Sequence, residues 1–303
     1  ANFGATPPTV ELVREPGTRK EERLACNVHS FNHTSMRLAI PEGVGEGWSL
    51  VVRVGGQWSL GGAAFAFEAP SVAAIRYNAS VGLPTAGGSQ LTVEGSSMGR
   101  SKAVLRIREA SSTDPNGGIF VPATAQPSHS EAVFALPEGQ GESLEAWVEV
   151  DGLASPPVPF SYDPPSVDRV VLPDAVPTEG TWRSQEPVRH EVMSILGSSF
   201  GVQATQLTEV RLLPSAAESS GHDRRLEAVT LEEFQAGVEC PITVQPDPDQ
   251  PGKFIEGETR KYGHSQIQAG IPEGYGKDLR LVVSVGGRLS APVAFSYDEP
   301  KLT

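Results

Sequence analysis

Three histidines with the same sequence surroundings are the first candidates for chemistry in this 303-residue chain. His33, His129 and His264 each precede a hydroxyl residue and stand eight residues before the proline of a Pro-Glu-Gly tripeptide. Imidazole is the commonest metal ligand among protein side chains. Ligands of one ion must converge, however, and equivalent residues of a repeat lie a domain length apart. We therefore expect turn histidines that are hydrogen-bonded at strand starts, and no metal centre.

Motifs of metal-dependent catalysis and nucleotide binding give no support for an enzyme. The sequence has no H-E-x-x-H motif, no P-loop and no G-x-G-x-x-G stretch. Asp247 and Asp249 lack the spacing of a calcium loop, and the pair Glu232-Glu233 is typical of a protein surface. We predict no catalytic residues, no metal and no cofactor, and hence a protein that is not an enzyme.

Charge and composition exclude several classes of partner. The chain has 24 Lys and Arg against 37 Asp and Glu, a net charge of −13, and no basic stripe that could neutralise phosphates. No apolar run approaches the roughly 20 residues that span a bilayer. The 26 prolines are spread along the chain and interrupt helices and central strands. The composition predicts many short strands, without a nucleic-acid partner and without membrane insertion.

An internal repeat organises the sequence. Its copies at residues 40–59, 136–155 and 271–290 read IPEGVGEGWSLVVRVGGQWS, LPEGQGESLEAWVEVDGLAS and IPEGYGKDLRLVVSVGGRLS. Apolar residues alternate with others in each copy, which predicts a strand, and a Gly-Gly or Asp-Gly pair then predicts a tight hairpin. Two aromatic residues close each copy, spaced so that both rings face one side of the last strand. The predicted core positions of the second and third copies include Phe160, Tyr162, Val283, Val285, Phe295 and Tyr297.

Further motifs carry a resemblance to a known family. Residues 85–99 read TAGGSQLTVEGSSMG, residues 193–201 read MSILGSSFG, and residues 160–165 and 295–300 read FSYDPP and FSYDEP. Together with the Pro-Glu-Gly turn, this pattern resembles IPT/TIG domains over nearly the whole chain. The resemblance implies immunoglobulin-like β-sandwiches, which occur in plexins, in microbial surface proteins and beside the catalytic domains of some glycan-processing enzymes.

The resemblance, together with the three copies of the repeat, implies an all-β fold of three tandem immunoglobulin-like β-sandwiches. We expect them at residues 1–70, 71–165 and 166–303. No flexible linker separates them, because a Pro-containing step joins the closing strand of one to the first strand of the next. Such joints are stiff, so we expect a straight or curved rod.

The first and third copies depart from the common pattern. The first has little sequence before its opening motif, so we expect a sandwich that is incomplete at its N-terminus. The third carries an insertion around residues 214–252, in which Thr230 and Glu233 predict a helix capping box. Two interpretations of the insertion stay open: a contact element for a partner, or a loop that packs on its own sandwich.

Cys26 and Cys240 fall in the first and third copies. A disulfide requires Cα atoms within about 7 Å of each other, which two ends of a linear array do not reach. An interchain disulfide between neighbouring copies of the chain is one hypothesis, and two free buried thiols are the other.

We expect a structural glycoprotein, the protomer of an extracellular filament or cell-surface appendage. Two explanations of the incomplete first sandwich stay open. The chain is a window of a longer array, or a neighbour in the homopolymer completes the sandwich head-to-tail by strand addition, a contact that does not close. The alternatives are an adhesion or receptor ectodomain, and a non-catalytic carbohydrate-binding module of a secreted enzyme. An exposed aromatic platform would favour the last. Its candidates are Trp48, Trp58, Trp147 and Trp182, although Trp147 alternates with core positions and is predicted to be buried.

We predict N-linked glycans at Asn32 and Asn78, which begin the sequons Asn32-His33-Thr34 and Asn78-Ala79-Ser80. Both sequons lie in polar stretches between strands, so the side chains should face solvent. Intact-mass analysis of the natural protein before and after glycosidase treatment should show a loss of mass at both peptides. Unchanged masses at both peptides would contradict the prediction.

Overall fold

A computed structural model describes residues 3, 6–99, 103–114, 117–176, 178–180, 192–201, 208–215, 228–242 and 262–300. The described residues contain 23 strands and one helix, so the predicted all-β fold is confirmed. Every strand pairing is antiparallel, and no sheet mixes strands from different copies of the repeat. We call the three resulting groups of strands the first, second and third units; the exact domain limits stay a prediction.

The first unit is one sheet. Its strands are β1 (Thr9–Arg14), β2 (Glu22–Phe31), β3 (Met36–Ala39), β4 (Trp48–Val54), β5 (Gln57–Trp58) and β6 (Ala63–Phe65). They lie in the order β3-β2-β1-β4-β5, with β6 also paired to β4. The β4–β5 hairpin turns at Gly55-Gly56, whose φ angles of 56° and 87° are ones that glycine adopts without steric cost.

The second unit has two sheets. Its strands are β7 (Ser71–Tyr77), β8 (Gln90–Ser96), β9 (Ala103–Glu109), β10 (Ile119–Pro122), β11 (Glu131–Ala135), β12 (Leu144–Val150), β13 (Leu153–Ala154) and β14 (Val158–Phe160). One sheet has the order β11-β8-β7, and the other has the order β10-β9-β12-β13, with β14 also paired to β12. Residues of both sheets share one hydrophobic core, as in a β-sandwich.

The third unit repeats this arrangement and adds a helix. Its elements are β15 (Ser166–Val171), β16 (Val192–Ser198), β17 (Thr208–Leu213), α1 (Leu231–Ala236), β18 (Val238–Glu239), β19 (Tyr262–Gly263), β20 (Gln266–Gly270), β21 (Leu279–Val285), β22 (Arg288–Leu289) and β23 (Val293–Phe295). The sheets have the orders β15-β16-β20-β19 and β18-β17-β21-β22, with β23 also paired to β21. They enclose a second shared core.

The closing aromatic pair locks each Pro-Glu-Gly turn to its sandwich. Tyr162 donates a hydrogen bond from its hydroxyl to the carbonyl oxygen of Pro137 at 3.0 Å. A Cβ on Gly139 would lie 2.5 Å from that hydroxyl oxygen, so this position tolerates no side chain. Tyr297 repeats the bond to Pro272 at 2.9 Å. The equal spacing between turn and tyrosine in the second and third copies thus reflects one steric contact.

The predicted core positions are confirmed. Phe160, Tyr162, Val283, Val285, Phe295 and Tyr297 are all buried. Within each pair the rings meet edge to face, with centroids 5.6 Å apart in the second unit and 5.2 Å apart in the third. This geometry is favourable for two aromatic quadrupoles.

The first unit buries its inner face less completely. Val10, Leu12, Cys26 and Trp48 are buried. Their neighbours on the same face are half-buried: Leu24, Val28, Met36, Leu38, Leu50, Val52, Phe65 and Phe67. Where the other units place a second sheet, the described residues of the first unit place none. Completion of this unit by a neighbouring chain stays a prediction.

Truncation of Phe295 should destabilise the third unit. The ring is 2% exposed, and Phe295→Ala should lower the free energy of unfolding by ~3–5 kcal/mol because it removes buried apolar area and leaves a cavity. Hydrogen exchange of the β21 and β23 amides measures the stability of this unit separately from the others. Tyr275→Ala, at an 85% exposed aromatic, is the control and should change stability by less than ~0.5 kcal/mol. Equal protection in both variants would show that the strand register is wrong.

Candidate functional site

The outer face of the first sheet carries an exposed aromatic platform. Side chains alternate between the faces of a strand, so Glu11, Arg23, Arg53 and Trp58 lie opposite to the core face. The Trp58 side chain is 43% exposed. The guanidinium carbons of Arg23 and Arg53 each lie 5.5 Å from the centre of its ring, within the range of cation–π attraction. Two guanidinium groups thus lie near the indole ring, and solvent still reaches the ring.

Carboxylates fix one of the two arginines. Arg23 donates to Glu21 at 2.6 Å and to Glu11 at 2.7 Å. These bonds raise the pKa of Arg23. The pKa of Glu21 is lowered, first by the amide of Gly17, which donates to it at 2.6 Å, and then by Arg23. At this exposed position the ion pairs add little stability; their effect is to hold the Arg23 guanidinium beside the ring.

The outer face of the second unit carries a related cluster. Phe120 is 54% exposed, and the guanidinium carbon of Arg106 lies 3.7 Å from its ring centre. Arg106 also lies 5.3 Å from the ring centre of Trp147, and Arg108 lies 4.8 Å from it on the same indole. Rings and guanidinium groups thus alternate across the face, and Phe120 is the member that solvent reaches most.

In the third unit the insertion covers the corresponding face. Phe234 of α1 is buried against Leu213, Val229 and Val282, and Arg211 lies 5.4 Å from its ring centre. The predicted capping box is confirmed, because Thr230 and Glu233 exchange side-chain to backbone hydrogen bonds at 3.2 and 3.0 Å. The described part of the insertion therefore packs on its own sandwich.

The four tryptophans named from the sequence fall into distinct environments. Trp48 is 3% exposed and Trp147 is 8% exposed, so the predicted burial of Trp147 is confirmed. Trp58 is the exposed member of the described three, and Trp182 lies outside the described residues. The alternation of side chains along a strand separates the two residues, because it places Trp58 on the outer face of the sheet and Trp48 on the core face.

Two of the three repeated histidines, His129 and His264, lie at the joints between units. His264 accepts or donates at both ring nitrogens, 2.9 Å from the Thr85 hydroxyl and 2.9 Å from a Glu138 carboxylate oxygen of the second unit. His129 of the second unit lies 3.8 Å from Glu42 of the first. Among the described residues, no group of three or more His, Cys, Asp and Glu side chains could hold a metal ion. The sequence did not indicate that these histidines face a neighbouring unit.

Further contacts fix the angle at each joint. Arg14 of the first unit forms an ion pair with Asp151, in the β12–β13 hairpin turn of the second. Arg288, just after the β21 hairpin turn of the third unit, donates at 2.6 Å to the carbonyl oxygen of Tyr162 in the second. The hairpin of the second unit thus contacts the first unit, and that of the third contacts the second. These contacts favour a stiff array.

A cleft of about 980 Å³ lies at the second joint. It is lined by the ends of β9, the second Pro-Glu-Gly turn, the β21–β22 turn and α1. Its two aromatic lining residues, Tyr162 and Phe234, are 1% and 2% exposed. The cleft therefore presents no open ring face, in contrast to Trp58.

Two pentapeptides have the G-x-S-x-G spacing of a nucleophile elbow, which the sequence analysis passed over: residues 95–99 and 197–201. Their central residues, Ser97 and Ser199, adopt φ angles of 55° and 58°. An elbow continues into a helix, whereas the next described element here is a strand, β9 or β17. The amide after Ser199 donates to the carbonyl oxygen of His264 at 3.1 Å. These pentapeptides form turns whose amides donate to the carbonyl oxygens of His129 and His264.

The predicted glycosylation sites are exposed. Asn32 and Asn78 both lie on the surface between strands. The side-chain oxygen of Asn32 accepts from the amides of Thr34 and Ser35, each at 2.8 Å. These two hydrogen bonds involve only the side-chain oxygen, and the side-chain nitrogen of Asn32 is the atom to which an N-linked glycan would be attached. Glycosylation itself stays a prediction.

Both cysteines are free thiols in the cores of their own units. Cys26 packs in the first core and Cys240 in the second of the two shared cores. Burial raises the pKa of both thiols, that of Cys240 to about 12. Exchange chemistry needs the thiolate, so burial suppresses reactivity. The interchain disulfide stays a prediction.

Comparisons with known proteins give little further information. No family model and no curated protein matches the chain, so the resemblance to IPT/TIG domains stays a prediction. Among the described residues, no helix is long and apolar enough to cross a membrane.

Several solved structures show a distant likeness. SGBP-B from a complex xyloglucan utilization locus in Bacteroides uniformis is 14% identical, with a TM-score of 0.26, and the match covers 76% of this chain and 49% of that one. A structure with a xylogluco-oligosaccharide is 14% identical, with a TM-score of 0.31 and coverages of 78% and 42%. The surface glycan-binding protein PbSGBP-B from Prevotella bryantii is 13% identical, with a TM-score of 0.34 and coverages of 75% and 42%. The chain spans less than half the length of these structures, and the TM-scores are too low to support an argument about function.

Proposed function

We propose that this chain is a non-catalytic, glycan-binding segment of an extracellular surface protein. The observation that carries the proposal is the Trp58 side chain, 43% exposed and flanked by Arg23 and Arg53. A pyranose ring has an apolar face of C–H groups and a rim of hydroxyls. The indole would stack on that face, and the neighbouring charged groups would hydrogen-bond to the rim.

Phe120 extends the same arrangement to the second unit. Its exposed ring lies on the outer sheet face, beside Arg106, and Glu149 accepts from Arg106 at 3.0 Å. Two platforms on successive units of a stiff array would engage one long polymer at two places. Linked sites bind more tightly than either site alone. The glycan-binding names of the compared proteins describe those proteins, and the proposal here depends on Trp58 and Phe120.

Charge narrows the class of glycan. The net charge of −13 repels polyanions at low ionic strength. Arg23 is committed to two carboxylates, so the Trp58 platform offers little excess positive charge. A neutral oligosaccharide with an open C–H face is the ligand that fits.

Removing the indole should abolish most of the binding. Affinity gel electrophoresis against xyloglucan, mixed-linkage glucan and galactomannan measures the dissociation constant through retardation. Trp58→Ala should weaken binding at least about tenfold, since truncation of an aromatic anchor costs more than ~1 kcal/mol, and adding Phe120→Ala should weaken it further. Tyr77→Ala, at an exposed aromatic on a different sheet, is the matched control. Wild-type retardation of the Trp58→Ala variant, or no retardation of the wild type by any neutral polymer, would refute the proposal.

A second candidate function is the structural one, a filament protomer that assembles head-to-tail. What favours it is that one kind of joint occurs twice within the chain, with a Glu of one unit near a His of the next. N-linked glycans on Asn32 and Asn78 would then decorate the polymer. A disulfide between Cys26 and Cys240 of neighbouring copies would require both thiols to leave the cores in which they are buried.

Electron microscopy and non-reducing electrophoresis test this second candidate. We expect concentrated protein to form fibres, because a heterologous contact that does not close propagates. A ladder of bands that collapses on reduction would support the Cys26–Cys240 bond, whereas fibres without such a ladder would limit the assembly to non-covalent contacts. Monodisperse particles at every concentration would rule out the structural function.

A further inference from the structure

One wall of the cleft at the second joint is the helix α1. Leu231 and Gln235 both line the cleft, and they lie four residues apart, on one side of the helix. Leu231 is 51% exposed, although Phe234 of the same helix is buried against the sandwich. The helix therefore does more than cover its own unit, since it presents a second, open side to the cleft.

Another wall belongs to the outer face of the second unit. Arg106 and Arg108 alternate with core residues along β9, so both project from the outer face. Arg108 lines the cleft, and Arg106 pairs across the sheet with Phe120. Two residues along a strand span about 7 Å, so the exposed Phe120 ring lies one short step from the cleft on the same face.

Arg108 keeps hydrogen-bonding capacity for a ligand. Its guanidinium carbon lies 4.8 Å from the Trp147 ring centre, a contact that positions the group. Its Nη atoms reach the carbonyl oxygen of Asp114 at 3.4 Å and a Glu145 carboxylate at 3.5 Å, both longer than an ordinary N–H···O bond of about 2.7–3.2 Å. Arg23, by contrast, donates to two carboxylates at 2.6 and 2.7 Å. The Arg108 guanidinium is thus held in place but only weakly satisfied.

Contacts between the two units hold the walls of the cleft at a fixed spacing. Glu138, which lines the cleft, lies 2.9 Å from His264 of the third unit. At Gly286 the two backbones approach so closely that a Cβ would lie 3.2 Å from the Cα of Gly141. A ligand that enters a site already formed avoids most of the cost of ordering it.

The lining selects the chemistry of a ligand. Its charged groups are four carboxylates and two guanidinium groups: Glu109, Glu138, Glu142, Glu209, Arg108 and Arg211. This balance disfavours anions. Hydroxyl groups suit the lining, because they donate to carboxylates and accept from a guanidinium group. Ile119 and Leu231 add exposed aliphatic surface for an apolar ligand face.

We propose that the cleft at the second joint is a further subsite for the neutral glycan that stacks on Phe120, with Arg108 and Leu231 as its contacts. This inference rests on the proposed glycan-binding function and extends it from exposed rings to a cleft between units. The glycan runs from Phe120 along the end of β9, with sugar hydroxyls toward Arg108 and a C–H face against Leu231. The nearby Phe120 ring favours a sugar over a basic peptide, which the Arg108 guanidinium would repel.

Methyl NMR of the 303-residue chain shows whether a glycan enters the cleft. The protein, labelled at leucine and valine methyl groups, is titrated with oligosaccharides of xyloglucan, mixed-linkage glucan and galactomannan. We expect the Leu231 signals to shift, while those of Val238, an exposed residue of the same unit outside the cleft lining, stay unchanged. Shifts at Leu60, two residues from Trp58, without any at Leu231 would leave the glycan-binding function standing and overturn the cleft subsite. Shifts at Leu231 with an arginine-rich peptide and none with the oligosaccharides would also overturn it.

Affinity gel electrophoresis supplies the second readout. Leu231→Asp should raise the dissociation constant for the retarding polymer at least about threefold, since one of several linked contacts is lost. The helix should be retained, because an acidic residue in its first turn is favourable. Val238→Asp is the control and should bind like the wild type. Wild-type retardation of Leu231→Asp, with weakened retardation of Trp58→Ala, would overturn the cleft subsite alone. No retardation of the wild type by any neutral polymer would overturn both.

Discussion

The contact between a turn glycine and a closing tyrosine organises the second and third units, and in the second it also positions the joint to the next unit. Gly139 approaches the Tyr162 hydroxyl more closely than any side chain would allow, and that hydroxyl bonds to Pro137. The turn is therefore clamped between the last strand and the start of β12. Since Glu138 and Gln140 project from this clamped turn, their positions toward the third unit are set by the core of the second. Packing inside one unit thus determines the geometry between units.

The outer sheet faces of the three units carry similar residues but differ in how far solvent reaches their aromatic rings. In each unit this face carries arginine and an aromatic ring: Trp58 in the first, Phe120 with Trp147 in the second, and Phe234 in the third. In the third unit α1 supplies the ring and buries it. In the other two, the described chain offers no such cover to Trp58 or Phe120, and solvent reaches them.

Much of the fold was predictable because local patterns determine it. Period-two alternation and Gly-Gly pairs indicate strands and hairpins, and the aromatic spacing indicates the core. The joints were not predictable in the same way: His264 and Glu138 are 126 residues apart in sequence, and nothing local says which side chains meet. Trp58 is an intermediate case. Its partner in the β4–β5 ladder is Arg53, so the alternation of side chains along the strand is enough to place Trp58 on the outer face. That Arg23 of β2 lies near the same ring can be predicted only once the strand order of the sheet is known.

The histidine position illustrates how a repeated residue differs from a site. Identical spacing in three copies invites a metal hypothesis, yet His129 and His264 each face a different neighbouring unit. His264 satisfies both ring nitrogens with Thr85 and Glu138, which leaves neither for a metal. A residue that recurs once per unit at a constant distance from a turn serves the relation between units.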